Sequence, residues 1–314
     1  MATGIVSIAA HNFGLHAVSL VLLGLAVLAF IPQFVIHALR ARQPLLLLRH
    51  ASAPRSGLPA LGFVAATAVV RTRLVLLGGE GARVIAIVLF AVGALVWLPI
   101  IVSVLPTLTR GIFGSLQIAA RSRGEWLLGV VSTEGLAVRL GALAPGQHSA
   151  LHVVVTVLWG FGGLLYLPIF WLLAVRVRRY RLSPREFTPD LWILMGAIAI
   201  FCVGGATSYR GNPGSAAGVV LIGGWALASA WIPALVAGEL WRVARLGRPR
   251  FTPARWTMVF PLGMYSVCGV LTGGRFGVAW IDHVGHWWFV VALAAWVAVA
   301  LGEARFEFRA AGLG

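Results

Sequence analysis

The side chains in this sequence that could do chemistry are few, and most are conspicuous for what surrounds them. Glu134 interrupts an apolar stretch, in the run Ser132-Thr133-Glu134-Gly135-Leu136-Ala137. A carboxyl in the middle of such a run is costly to bury, which makes it either a functional group or half of an ion pair, and the sequence leaves both readings open. Arg139, Arg210 and Arg275, with the pair Arg71 and Arg73, stand toward the corresponding ends of four apolar runs. A group of guanidinium ions would attract anions and repel cations through its field. The plainer alternative is that each is an interfacial anchor whose head reaches out of the apolar layer. Arg71 and Arg73 are two residues apart and so lie on roughly opposite helix faces; at most one of them can point toward a common axis.

Other reactive residue types carry weaker signals. His148 and His152 are spaced i, i+4 and would share a helix face, as metal ligands often do, but no third Cys, His or carboxylate lies near them in sequence. His283 and His286, after Asp282, are discounted as metal ligands in the same way. Haem ligation would need facing histidines at membrane depth, and most of the eight histidines fall near the ends of apolar runs. Cys202 and Cys268 lie within apolar runs and read as small buried residues. Asp190, just after Pro189, reads as a helix-start acid, and Glu239 with Arg242 as an interfacial pair. The sequence holds no Gly-rich phosphate loop and no Gly-x-Ser-x-Gly elbow. No cofactor and no metal are expected. The competing class is a membrane-embedded enzyme or redox protein using its histidines for metal or haem.

The elements that must position these residues are apolar helices. Of 314 residues 60% are hydrophobic and 11% charged, with a mean hydropathy of +0.92. A soluble domain carries about 25% charged residues, so soluble architectures are excluded. A membrane-crossing helix needs about 20 apolar residues. Apolar runs fall at roughly 1–12, 15–39, 58–76, 82–108, 124–142, 149–176, 190–208, 215–241, 255–273 and 283–303. They are continuous rather than alternating, which excludes a β-barrel. All 25 basic residues are arginine, against nine acids, for a net charge of +16. Nineteen of them lie in the loops after the even-numbered runs and at the C-terminus, and six on the other side. By the positive-inside rule both termini are cytoplasmic, in a multi-pass protein of the plasma membrane. The basicity is a topology signal rather than a nucleic-acid signal. Residues 1–13 lack the basic segment of a cleavable signal peptide.

The even-numbered runs share a marker of aromatic, aliphatic, proline: Phe30-Ile31-Pro32, Trp97-Leu98-Pro99, Tyr166-Leu167-Pro168 and Trp231-Ile232-Pro233, with Trp296-Val297-Ala298 in fifth place. The spacings are 67, 69, 65 and 65 residues. Trp126, Trp192 and Trp256 open three odd-numbered runs at spacings of 66 and 64. Two markers with one period define a repeated unit. Each unit is a helical hairpin, over approximately 1–40, 58–108, 124–176, 190–241 and 255–303 within a single domain, 1–314. The predicted fold is therefore an all-α polytopic membrane protein: ten transmembrane helices forming five parallel-repeat hairpins around a pseudo-fivefold axial pore. Small-residue odd helices would line the axis and bulky even helices would face lipid. Counting back 42 residues from Pro32 falls about ten before Met1, so the first hairpin is expected to be short at its N-terminus.

The opening Ala2-Thr3-Gly4-Ile5-Val6-Ser7-Ile8, the stretch Trp192-Ile193-Leu194-Met195-Gly196-Ala197 and above all Trp256-Thr257-Met258-Val259-Phe260-Pro261-Leu262-Gly263-Met264-Tyr265-Ser266 resemble the tellurite-resistance/C4-dicarboxylate transporter family, which includes plant slow anion channels, yeast malate permeases and sulfite exporters. The resemblance runs along essentially the whole chain. It implies passage of small anions (C4-dicarboxylate, chloride, nitrate, sulfite or tellurite-related ions) through an axial pore, and a homo-trimer of separate pores. Carried over by position, Phe260 would be the aromatic plug and Pro261 the helix break beside it. The same repeat offset gives Leu61, Val130 and Met195, all apolar, so a ring that gates by dewetting is expected. Glu134 departs from the neutral polar residue the family tends to carry there. If it faces the pore, it must be protonated or paired with Arg71, Arg73 or Arg139 when an anion passes.

Overall fold

The structure, a computed structural model, describes residues 1–41, 54–138, 140, 150–180, 182–209, 211–247 and 251–310. The described residues are helical almost throughout. In chain order the helices are α1 (Ala2–Asn12), α2 (His16–Ala41), α3 (Pro54–Leu77), α4 (Glu80–Ile112), α5 (Leu116–Arg121), α6 (Leu128–Ala137), α7 (Ala150–Tyr180), α8 (Ile193–Ser208), α9 (Ala216–Leu246), α10 (Trp256–Phe276) and α11 (Ala279–Ala310). Among the described residues, eight helices are long and apolar enough to cross a membrane: α2, α3, α4 and α7 through α11. The two shorter ones that fall on odd-numbered runs are α1, of 11 residues, and α6, of 10. The first turn of the α6 run is a 3₁₀ turn, Gly124–Leu127, and the run leaves helical geometry at Val138.

Local sequence explains the boundaries. Similar 3₁₀ turns, Pro189–Trp192 and Pro253–Arg255, open α8 and α10, each with proline at its start. The repeat tryptophans Trp126, Trp192 and Trp256 sit in or directly after these turns. Asp190 serves a neighbouring start rather than only its own, since its Oδ2 accepts the Glu125 backbone N–H at 3.1 Å. Gly277, at φ 71°, ends α10 in the left-handed region, where a side chain would be strained, and the chain reverses at once into α11. Pro32, Pro99, Pro168 and Pro233 all lie inside helices, α2, α4, α7 and α9. Membrane helices tolerate such prolines because neighbours satisfy the freed carbonyls.

Burial separates two layers. The spans in α3, α8 and α10 are 67%, 78% and 72% buried, whereas those in α2, α4, α7, α9 and α11 are 17–28% buried. The first set is rich in Gly, Ala, Ser and Thr and the second in bulky apolar residues, the division expected when small residues let helices approach and large ones meet lipid. Each inner helix packs on the outer helix that follows it: α1 on α2, α3 on α4, α6 on α7, α8 on α9 and α10 on α11. The inner helices also touch in order, α1 with α3, α3 with α6, α6 with α8, α8 with α10, and α10 back to α1. Gly269 and Gly285 show how close these contacts are, because a Cβ on Gly269 would stand 2.6 Å from the Gly285 Cα.

Candidate functional site

The ring of inner helices surrounds a narrow, partly open cavity of about 30 Å³, room for about two water molecules. All five inner helices contribute. Ile5 and Ile8 come from α1, Ala65 and Val69 from α3, Gly135 and Val138 from the end of α6, Ile200 and Val203 from α8, and Met264 and Val267 from α10. Its polar side chains are Asn12 and Thr72. The lining is therefore mostly apolar, and uncharged among the described residues.

Leu61, Val130 and Met195 are 0% exposed and Phe260 is 1% exposed. They lie four or five residues before Ala65, Gly135, Ile200 and Met264, so the cavity ends about one helical turn from them. α10 runs through Pro261 without breaking, and the proline ring is seated against α8: a Cβ on Gly196, beside Met195, would come within 2.9 Å of Pro261 Cγ. Glycine at 196 is what lets the two helices meet at this level.

Glu134 is fully buried but does not line the cavity. The lining residue is its neighbour Gly135, about 100° round the helix. The carboxyl group enters the junction of α6, α7 and α8, where a Cβ on Gly162 would stand 2.3 Å from Oε1 and one on Gly204 2.9 Å from Oε2. Neither oxygen has a hydrogen-bond partner among the described residues. Beside it, the Trp159 indole stacks on Phe201 and donates to the Phe201 carbonyl at 2.9 Å. Thr133, the preceding residue, accepts from Trp97 Nε1 at 2.8 Å.

The arginines sort by partner. Arg71 is 1% exposed and caps the end of α6: Nη2 donates to the carbonyls of Gly135 at 2.7 Å and Val138 at 2.6 Å, and Nη1 to that of Leu136 at 3.1 Å. A cation suits a helix C-terminus, where unpaired carbonyls sum to about half a negative charge. Arg73, 2% exposed, donates from Nε to Ser19 Oγ at 3.1 Å. Ser19 is already tied to Ser7 by reciprocal bonds, Ser7 Oγ to the Ser19 carbonyl at 2.6 Å and Ser19 Oγ to the Ser7 carbonyl at 2.7 Å. Arg275 Nε donates to the Ala206 carbonyl near the end of α8 at 2.8 Å. The two side chains expected to diverge do so, Arg71 toward α6 and Arg73 toward α2, with Thr72 between them in the cavity wall. Arg139 and Arg210 lie outside the described residues.

Of the histidines, His11 and His16 meet edge to face, with ring centroids 5.2 Å apart. His148 lies outside the described residues, and His152 meets the edge of the Tyr209 ring. His283 and His286 place Nδ1 on the backbone carbonyls one turn back, of Ala279 at 2.6 Å and Asp282 at 2.9 Å. Among the described residues, no three His, Cys, Asp or Glu side chains converge as a metal would require. Sequence reasoning missed two features: the Ser7–Ser19 pair under Arg73, and the cavity positions of Asn12 and Thr72. The signal for the first was two serines in otherwise apolar runs.

A polytopic all-helical membrane protein with a small-residue ring around a narrow apolar cavity is the class these observations define. Comparison with known proteins narrows it: the chain belongs to the voltage-dependent anion channel family, whose model matches residues 1–304. The family resemblance read from the Phe260 segment is thereby borne out. Two relatives from Mycobacterium tuberculosis, "Uncharacterized membrane protein MT1776" (strain CDC 1551 / Oshkosh) and "Uncharacterized membrane protein Rv1735c" (strain ATCC 25618 / H37Rv), are each 33% identical over 140 residues. Each match covers 42% of this chain and 71% of the relative.

Proposed function

We propose that the chain forms a pore for small anions, with ten membrane-crossing helices arranged as five hairpins about a pseudo-fivefold axis. The observation that carries this reading is the cavity, lined in turn by α1, α3, α6, α8 and α10 and ending short of four buried apolar side chains. In this reading Phe260, held by Pro261 against Gly196, plugs the passage with Leu61, Val130 and Met195, and the apolar constriction keeps it dry when closed. The outer arginines Arg71, Arg73, Arg139, Arg210 and Arg275 favour anions at the outer end. Glu134 adjoins Gly135, which is in this wall. A C4-dicarboxylate or an inorganic anion such as chloride, nitrate, sulfite or a tellurite-related ion is the substrate class. Family membership supports transport rather than catalysis. The protein works in the plasma membrane with both termini cytoplasmic, as the arginine asymmetry supports, and as a homo-trimer of separate pores, as the family resemblance implies.

The test is a reversal-potential series in planar bilayers containing the purified chain, with chloride, nitrate, malate and sulfite as successive permeant ions. The expected result is an anion-selective current whose reversal potential follows the anion gradient. A current that follows the cation gradient, or no current in a folded preparation, would refute the proposal.

A further inference from the structure

The described residues of the cavity wall carry no charge, yet a pore that passes anions through an apolar layer needs a source of positive potential. Arg71 and Arg73 stand on either side of Thr72, which is in that wall, and neither is in it themselves. Arg71 is buried behind the last turn of α6, bonded to the carbonyls of Gly135 and Val138, whose residues form the wall. On its other side it lies 5.5 Å from the centroid of the Phe90 ring. Arg73 has Ser19 Oγ as partner for Nε, while Nη1 is buried with no partner among the described residues. Among the described residues no carboxylate lies within ion-pair distance of either; the ion pairs found are Arg176–Glu186, Arg242–Glu239 and His286–Asp282. Glu80, the nearest acid in sequence, is exposed in the first turn of α4, and Glu134, the acid of α6, turns to the opposite flank of that helix.

This placement has an electrostatic consequence. Helix-end carbonyls offset about half of one positive charge, so a guanidinium capping α6 leaves a net positive potential. A buried charge is screened far less than a surface one, and low-dielectric walls focus its field into the cleft they enclose. An anion in the cavity would meet that field without meeting the guanidinium itself, because the main chain of Gly135–Val138 lies between them. Direct ion pairing would hold an anion; a field from behind the wall attracts it and lets it leave. We propose that Arg71, supported by Arg73, sets the anion preference of the passage from behind its wall, by field and not by contact. This rests on the pore reading above and says which arginines supply its selectivity and how.

Arg71 then has two separable tasks. Its charge sets selectivity, and its forked donors fix the end of α6. Lysine keeps the first and loses most of the second, since an ammonium cannot reach three carbonyls with the same planar geometry. The full chain, wild type and variants, is compared in planar bilayers under a potassium chloride gradient. Wild type should reverse near the chloride equilibrium potential. Arg71→Lys should reverse at the same potential with a smaller current. Arg71→Gln should shift toward the potassium potential, with the chloride-to-potassium permeability ratio falling at least threefold, and Arg73→Gln should shift the same way by less.

A merely structural cap predicts the reverse pattern, with both Arg71 variants less stable and neither altering the reversal potential. Folded Arg71→Gln with wild-type selectivity would therefore overturn the proposal. Should Arg71→Gln fail to fold, Arg73→Gln decides, because it gives up one bond to a serine hydroxyl, and an unchanged reversal potential there is equally fatal. Absence of current in wild type sinks the pore reading and this inference with it; selective wild-type current with unaltered variants sinks this inference alone.

Discussion

Replacing Phe260 by alanine tests where the passage is closed, and the structure sets the magnitude. The side chain is 1% exposed, in the same repeat position as Leu61, Val130 and Met195, which are 0% exposed. Removing the phenyl ring would open a void on the order of 100 Å³, which at about 24 cal/mol per Å³ costs about 2.4 kcal/mol. In a membrane protein, transfer to lipid adds little, because lipid tails are as apolar as the core. The expected loss of stability is therefore about 2–3 kcal/mol, below the 3–5 kcal/mol typical of soluble cores. The void lies one turn from the existing cavity and is wide enough for about three waters, so the dry segment of the axis should shorten or vanish. Lowering the barrier by about 1.4 kcal/mol would raise current tenfold, and a rise of at least that size is expected. The assay is macroscopic anion current in planar bilayers at matched protein, with thermal unfolding in detergent run on the same samples. Phe260→Leu should fall between wild type and alanine in both. A folded alanine variant that loses the expected stability but conducts like wild type would show that Phe260 is only packing, and the gate would have to be placed elsewhere.

Three further outcomes follow from particular contacts. Gly162→Ala puts a Cβ 2.3 Å from Glu134 Oε1, so it should cost about 1–3 kcal/mol; adding Glu134→Ala should recover at least about 1 kcal/mol in a double-mutant cycle read by thermal unfolding. Ser19→Ala removes the acceptor of Arg73 Nε and one of the reciprocal bonds to Ser7, and should lower stability in detergent by about 1–3 kcal/mol. In the segment between α7 and α8, the Ser183 backbone N–H at 3.0 Å and hydroxyl at 2.9 Å, with Arg176 at 3.2 Å, hold the Glu186 carboxyl below the ordinary glutamate range. A depressed folded-state value means the stabilisation is present above the ordinary value and is lost as pH falls through the folded one. Acidification should thus raise proteolytic cutting within 182–188 in wild type, while Glu186→Gln should be cut readily and equally at both pH values.

Much of the architecture was legible because it depends on composition and period. The apolar runs at 190–208, 215–241 and 283–303 match α8, α9 and α11 closely, since a continuous apolar run of that length has one stable form in lipid. The small-residue runs proved to be the buried ones, for the reason given by their composition. The site was legible only in outline. Counting by the repeat makes Glu134 equivalent to Ala65 and Met264, both of which line the cavity. Yet α6 presents Gly135 there, and α8 presents Ile200 where the count points to Ala199. A one-residue difference in register is invisible among repeats spaced 64 to 69 residues apart, but it turns a side chain about 100°.

The sequence by itself determined the membrane class, the alternation of inner and outer helices, the arginine asymmetry and, through the Phe260 segment, the family. Each depends on residue type and spacing along one chain. The tertiary structure decided what the few charged groups inside the layer face. It turned Glu134 into a glycine-lined junction and set Arg71 on the carbonyls of Gly135, Leu136 and Val138, more than 60 residues away in sequence. It also left the described residues of the cavity wall without a charge of their own. The reason is physical: burial and period constrain which face of a helix is apolar, whereas a lone polar side chain takes its direction from helix phase and from neighbours on other helices.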